Sequence, residues 1–494
     1  MNRITDAFIS NLNRSIVCDL YSNRSLDYKD LFSKAYGLSK YLRKIGIKKK
    51  TKIIVITNNT LLKFIFFFSS MINNYHLILF DDLENPKNLK KLIKKFNLNY
   101  IFVDKRNINI ISKNKYYEGS HYIIKDRKFF FNLDKIQDLK FENLTKILKE
   151  LKIDLNLPFL TILTSGTTGI PKGIVHNLKS LINSAENFNK FNKINNKCVM
   201  AHFFSMNYMA GILNTIISPF LAGGKIILFE KFNSLSGLTF WEKAIDNKVN
   251  YFWTSPTMLS LIIKLNRYPG VKSYVKKYLE KIFIGTAQLP KNQKIFFKKF
   301  FLNKVYESYG TTEDLFISCD DESKRYDTSG RILPNVKILI SKKKKIFIKT
   351  NSPNLGVYEL EKLKTIKRLN NWRDTGDIGE LIKNRYLKII GRDKDIIIKG
   401  GKNIYPVKIE NLIYSVDNIK QVAVVGMKNQ LYGEDIVIFY NTSKKINKKI
   451  FENNLMKICD KNLPRDYKPS KFIYKKNFEI TKTGKIKKNK LKLS

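Results

Sequence analysis

Between Thr164 and Gly173 the chain gathers hydroxyl side chains (Thr164, Ser165, Thr167, Thr168), glycines (Gly166, Gly169, Gly173) and one lysine, Lys172. Such a run suits the holding of polyphosphate. Glycines let backbone N–H groups approach anionic oxygens, hydroxyls donate further hydrogen bonds, and the lysine adds a point charge. A Walker A loop needs glycine directly before its lysine, and Pro171 stands there, so a P-loop nucleoside triphosphatase is a poor match. On this segment alone, a Ser/Thr/Gly-rich surface loop is the plainer alternative.

Further groups of the same chemical character follow along the chain. They are Tyr309, Gly310, Thr311, Thr312 and Glu313; then Thr375, Gly376 and Asp377; then Gly391, Arg392, Asp393, Lys394 and Asp395 with Gly400 and Gly401; and last Thr481, Lys482, Thr483, Gly484 and Lys485. Taken in order with the polar loop, they resemble the signature elements of the adenylate-forming (AMP-binding) enzymes, of the acyl-CoA synthetase or acyl-acid ligase type. Any one motif could arise by chance, whereas all of them in order could hardly do so. One departure is Glu479, where the family commonly has proline.

The resemblance implies ATP-dependent activation of a carboxylic acid. A free carboxylate resists nucleophilic attack, so it is first joined to AMP with release of pyrophosphate, while negative charge spreads over the phosphoryl oxygens. Thr164, Ser165, Gly166, Thr167, Thr168, Gly169 and Lys172 would hold phosphate, and Thr312 would bond the α-phosphate. Glu313 would bind Mg²⁺, which favours carboxylate and phosphate oxygens. Tyr309 offers a face for adenine, and Asp377 with Arg392 would bind the ribose hydroxyls. Lys485 would bridge the acyl carboxylate and the α-phosphate, a task suited to an ammonium on a long flexible stem. Rotation about Lys394 would then admit a pantetheine thiol past Gly400 and Gly401, and the thiol belongs either to CoA or to an acyl carrier protein.

By family position the acyl pocket draws on Tyr208, Gly211, Trp253 and Thr286. Amino-acid-activating relatives carry an aspartate here to pair with the substrate ammonium. None occurs between Cys198 and Gly211, which favours an acid without a free α-amine. An amino-acid adenylating enzyme serving a carrier protein is the alternative. Thr286 stands where the family often has glycine, which implies a narrowed tunnel that disfavours long chains.

Elements must position these groups. Phe159–Leu163 is short, apolar and β-prone, and the apolar spacing from Ile174 suits a helix, so the polar run is expected as a strand-to-helix loop. Residues 52–56, 77–80, 100–103, 225–229 and 281–284 are further β-prone runs, alternating with Lys- and Leu-spaced helical stretches. Strands alternating with helices imply an α/β fold of layered, mostly parallel sheets, with ligands at the carboxyl ends of strands. At 494 residues more than one core is expected. The boundary falls at the hinge that the resemblance identifies. It gives an ATP- and acyl-binding domain over 1–391 and a small mobile α/β domain over 392–494.

Composition bounds the rest. The stretch Phe64–Ile72 is about half a membrane span and reads as a buried element. No charged, apolar and small-residue leader pattern opens the chain, and Cys18, Cys198, Cys319 and Cys459 lack paired spacing, which suits a reducing cytoplasm. His76, His121, His176 and His202 are dispersed, with core or surface roles expected for each. The formal net charge of +49 raises nucleic-acid binding as an alternative from another class. Yet the lysines spread over the whole chain beside abundant Asn, Ile and Phe, and no nucleic-acid-binding motif accompanies them. Runs such as Lys48–Lys50 and Lys342–Lys345 are expected as solvated turns.

Overall fold

The computed structural model describes the chain except residues 1–2, 58–59, 80–97, 99, 104–140, 165–171, 287–288, 322–325, 360–361, 365–370, 480–485 and 492–494. The expected α/β layering is what it adopts. Lys52–Ile56, with β-branched residues at nearly every position, forms a strand that pairs in parallel with His76–Leu79 and Tyr100–Val103. His76–Leu79 continues in parallel to Pro158–Thr164. These belong to a 7-stranded sheet whose other flank is antiparallel.

One local expectation fails here. The stretch from Ile174 is not a helix: Lys172–Asn177 is a strand antiparallel to Pro158–Thr164, so the polar loop joins two hairpin strands. Pairing on both edges, with Pro158–Thr164 on one and Gly356–Glu359 on the other, outweighs the apolar spacing. The helix begins only at Leu178, after Asn177 has turned its side-chain oxygen to accept from the Ser180 N–H. Its apolar stripe of Leu178, Leu181, Ile182, Ala185 and Phe188 then faces the core.

A second, 13-stranded sheet contains a run of adjacent parallel strands: Ser15–Asp19, Lys225–Leu228, Val199–His202, Tyr251–Thr254, Lys281–Ile284 and Val305–Thr311. Beyond Val305–Thr311 the sheet turns antiparallel, through Leu315–Cys319 to Tyr386–Arg392 and Arg373–Ile382. The main core lies against both sheets. At its centre the helix Thr60–Asn73 buries its phenylalanines; Phe67 packs edge-on to Phe159, and Phe68 packs against Phe8 and Phe220. Each such ring contributes roughly 1.5–3 kcal/mol on burial, which explains why a membrane-like run belongs inside a globular core. No helix among the described residues is long and apolar enough to cross a membrane.

Past Arg392 the chain builds a separate sheet from Ile397–Lys399, Lys402–Ile404, Ile419–Asn429, Gly433–Thr442 and Lys471–Tyr474. Two apolar clusters of its own fill the faces of this sheet. Lys48–Lys50 and Lys342–Lys344 are exposed, as the charge runs implied, whereas Lys345 is half-buried, opens the strand Lys345–Thr350 and donates to Asp393 Oδ2.

Candidate active site

The carboxyl ends of neighbouring parallel strands converge on one place. Trp253 is the last residue but one of the Tyr251–Thr254 strand, Gly285 and Thr286 follow Lys281–Ile284, and Tyr309, Gly310 and Thr311 close Val305–Thr311. Beyond the next strand, Val199–His202, comes Tyr208 and then a π-helix, Ala210–Ile217. Tyr208, Trp253, Thr286, Gly310 and Thr312 all line one cavity of about 60 Å³. A strand pairs by its edges and leaves its end groups free, so loops at that end can be shaped by the ligand without cost to the sheet.

Gly310 is required by close approach: a Cβ there would stand 2.4 Å from the Leu315 carbonyl oxygen. The chain folds back antiparallel at this point, and its tight turn is fastened on every side. Arg373 Nε donates to both carboxylate oxygens of Asp314, at 3.0 and 2.8 Å, and its Nη2 reaches Thr311 Oγ1 at 3.3 Å. Asn354 Nδ2 donates to the Glu313 carbonyl at 2.8 Å. His176 Nε2 lies 2.7 Å from the Thr312 carbonyl. A carbonyl only accepts, so that nitrogen carries the proton and Nδ1, buried and without a partner, holds the lone pair. Burial lowers the His176 pKa to about 4, which keeps the ring neutral.

Next to this turn, Tyr309 Oη donates to Asp377 Oδ2 at 2.6 Å and Arg392 Nε to Asp377 Oδ1 at 2.9 Å. Burial, then the Asp377 charge, raises the Tyr309 pKa well above the usual phenol range, so the hydroxyl stays protonated and donates. Burial would lower the Arg392 pKa, but the Asp377 carboxylate outweighs it and raises it. Two of the roughly four lone-pair directions of Asp377 are thus used, leaving two for a ligand's hydroxyls. A neighbouring cavity of about 370 Å³ is lined by Thr375, Gly376, Arg392, Asp393 and Lys394.

The structure therefore brings Tyr309, Thr312, Glu313, Asp377 and Arg392 to one region, with Lys394 beside it in the 3-10 turn Asp393–Asp395. Gly400 and Gly401 form the turn between Ile397–Lys399 and Lys402–Ile404. Lys172 is exposed at the start of its strand, and Thr164 ends the preceding one. Ser165, Gly166, Thr167, Thr168, Gly169 and Lys485 lie outside the described residues, as do His121, Phe80 and Ala287. Gly211 does not line the 60 Å³ cavity. It lets the π-helix pass the Ser205 carbonyl, which a Cβ would meet at 2.1 Å. Leu213, Asn214, Ser308, Leu315 and Phe316 line the cavity in addition to the residues anticipated.

His176 and the Arg373–Asp314 pair were missed as supports of the site. A signal existed: a histidine directly after the apolar pair Ile174 and Val175 and close to the polar loop, and an arginine four residues before Asp377. His202 is also neutral, since burial lowers its pKa to about 3. Its Nδ1 meets Thr215 Oγ1 at 2.7 Å, and that hydroxyl also reaches the Gly211 carbonyl inside the π-helix. As for Mg²⁺, no group of three or more His, Cys, Asp or Glu side chains suited to a metal occurs among the described residues. A lone carboxylate such as Glu313 fits magnesium's habit of taking one or two carboxylates together with substrate phosphates and water.

A layered α/β domain with convergent polar groups at the strand ends is followed by a small separate sheet, and ligands of such sheets collect at the strand ends. The chain belongs to the AMP-binding enzyme family, whose model matches residues 10–347, and the family's C-terminal domain matches residues 408–485. The resemblance read from the motifs is thereby borne out. Among curated relatives, the 2-succinylbenzoate–CoA ligase of Staphylococcus epidermidis is 26% identical over 341 residues, covering 67% of this chain and 68% of that one. The mitochondrial medium-chain acyl-CoA ligase ACSF2 of Homo sapiens is 24% identical over 352 residues, covering 67% and 56%. Among solved structures, ATP-bound MatB from Rhodopseudomonas palustris superposes with a TM-score of 0.83 at 18% identity, covering 100% of this chain and 99% of that one. The o-succinylbenzoate CoA synthetase of Bacillus subtilis, in complex with its acyl-adenylate intermediate, gives 0.81 at 17%, covering 99% and 98%. At such identities these structures establish the shared fold.

Proposed function

We propose that this chain is an acid–thiol ligase. It uses ATP and Mg²⁺ to join a carboxylic acid to AMP, and then passes the acyl group to the thiol of CoA. In the first step a carboxylate oxygen forms a bond to the α-phosphorus and the bond to pyrophosphate breaks. In the second, the thiol sulfur bonds to the acyl carbon and AMP leaves. The observation that carries the proposal is Asp377, held between Tyr309 and Arg392 beside the cavity at the strand ends, in a chain of the AMP-binding family.

Asp377 and Arg392 take the ribose, Tyr309 the adenine, Thr312 the α-phosphate and Glu313 the Mg²⁺ that balances phosphate charge. The loop from Thr164 to Lys172 takes the outer phosphates, and Lys485 the reacting oxygens. Lys394 is the hinge between domains 1–391 and 392–494, and Gly400 and Gly401 border the thiol's path. Support for this division comes from the separate sheet and cores beyond Arg392. CoA rather than a carrier protein is favoured, because the named relatives are CoA ligases. Among the described residues, the absence of an acidic side chain from the lining of the 60 Å³ cavity supports an acid without an ammonium. Free cysteines at four scattered positions support a reducing cytoplasmic setting.

The test is pyrophosphate release across fatty, aryl, short-chain and amino acids, with and without CoA. Acid-dependent pyrophosphate and AMP, with a thioester only when CoA is added, is the expected result. Release that depends on no acid would overturn the proposal.

A further inference from the structure

Trp253 and Thr286 line the same small cavity, and each has a buried polar atom, Nε1 and Oγ1, that meets no hydrogen-bond partner. Nearly all buried polar groups are satisfied, so two orphans in one cavity need an explanation. The indole N–H can only donate. It is held in place by a stack, with Trp253 lying 4.8 Å from Phe283 and 5.6 Å from Phe316, and the side chain is 3% exposed.

Thr286 adds an independent sign. Its φ is +69°, in the left-handed region where a β-branched residue is a genuine outlier. Strain of this kind persists where the surroundings demand it, and it collects at ligand sites. The cavity itself is about 60 Å³, against the roughly 150 Å³ of an apolar cavity that admits benzene. Its described lining includes Asn214, on the π-helix, but no Lys, Arg, His, Asp or Glu. A charged group on the acid's far end would have no counter-charge there.

We infer that the acid activated here is short and carries an uncharged oxygen beyond its carboxylate, a carbonyl or hydroxyl that accepts from the Trp253 N–H and the Thr286 hydroxyl. This inference rests on the ligase proposal and deepens it by naming the substrate class. Trp253 and Thr286 set specificity in it.

Pyrophosphate release by the full chain tests it with isosteric pairs: 4-oxopentanoate against 4-methylpentanoate, and 3-hydroxybutanoate against 3-methylbutanoate, with octanoate, benzoate and glycine alongside. In at least one pair the oxygenated acid should be preferred in kcat/KM by about tenfold or more, because the methyl analogue leaves buried donors unpaired. Trp253→Phe should bring that ratio towards one by losing activity only with the oxygenated acid. Thr286→Gly, which suits the positive φ and widens the cavity, should raise the rate with octanoate. If the wild-type chain prefers the methyl analogues, octanoate, benzoate or glycine, the substrate class is wrong while the ligase proposal stands. If no acid drives pyrophosphate release, both fall.

Discussion

Two groups of side chains near the strand ends differ: those around Asp377 and Asp314 are hydrogen-bonded to one another, whereas Trp253 Nε1 and Thr286 Oγ1 are left open. Tyr309 and Arg392 donate to Asp377, Arg373 grips Asp314, and His176 and Asn354 fasten the carbonyls of Thr312 and Glu313. Across the strand ends, Trp253 and Thr286 keep unpartnered atoms in a small cavity. The contrast separates two tasks. On the proposed assignment the paired side takes the nucleotide, which is the same in every turnover, and groups held ready by their neighbours need little reorganisation as charge develops. The open side takes the acid under the same proposal, and groups left open for it would give selectivity because a wrong acid leaves them unpaired.

The comparison can be broken most severely at the paired side. Asp314→Ala would leave the Arg373 guanidinium, 8% exposed, without its partner. Removing one member of a buried ion pair costs about 3–5 kcal/mol, so denaturant unfolding should show a loss of that size. Replacement of Asp314 with little change in stability would mean that the turn does not depend on the pair.

Lys485→Ala comes next. It removes the proposed mobile cation from the forming phosphoryl charge, and one such contact is worth on the order of a hundredfold in rate. Adenylation should collapse, while thioester formation from supplied acyl-adenylate should suffer much less. Equal losses in the two half-reactions would refute the assignment.

Asp377→Ala sharpens the contrast further by removing a carboxylate that serves both its neighbours and the proposed ribose. Charge-assisted hydrogen bonds contribute about 1.5–3 kcal/mol each, so calorimetry should show ATP and AMP weakened together, with the acid preference of the cavity unchanged. Unaltered ATP affinity in a folded variant would place the ribose elsewhere.

The smallest expected effect concerns pH. His176 has its pKa lowered to about 4 by burial, against an unfolded value near 6.5. Below about 6.5 the unfolded chain binds the proton and the folded chain does not, so this stabilisation is present above that pH and is lost as pH falls towards about 4. By pH 5 the histidine should account for about 2 kcal/mol of lost stability. His76 and His202, lowered to about 3, act in the same direction. His176→Gln can still donate to the Thr312 carbonyl but does not titrate. Its unfolding free energy should therefore decline less steeply between pH 6.5 and 4, and an identical slope would show that His176 is not held neutral.

Much of the molecule is legible in its residues alone. The strands Lys52–Ile56, Tyr100–Val103 and Lys281–Ile284 match the β-prone runs residue for residue, because β-branched and aromatic side chains pack best on a pleated surface whatever their partners. The buried helix around Phe64–Ile72 is legible for a similar reason: so much apolar surface has to leave water. The stretch from Ile174 is not, since its apolar residues suit a helix or a strand equally. Hydrogen bonding to Gly356–Glu359, far along the chain, decides for the strand.

Chemistry divides in the same way. The resemblance carried by the ordered motifs marked out Tyr309, Thr312, Glu313, Asp377 and Arg392; outside those motifs each would read as a packing, surface or salt-bridge residue. Only the tertiary structure decided that Arg373 supports Asp314, that His176 is a neutral prop for Thr312, and that Trp253 and Thr286 meet in one cavity of about 60 Å³. Pairing, burial and cavity size depend on what distant segments bring to a point. Strand ends from separate parts of the chain meet there because the sheet aligns them, and no local spacing records that meeting.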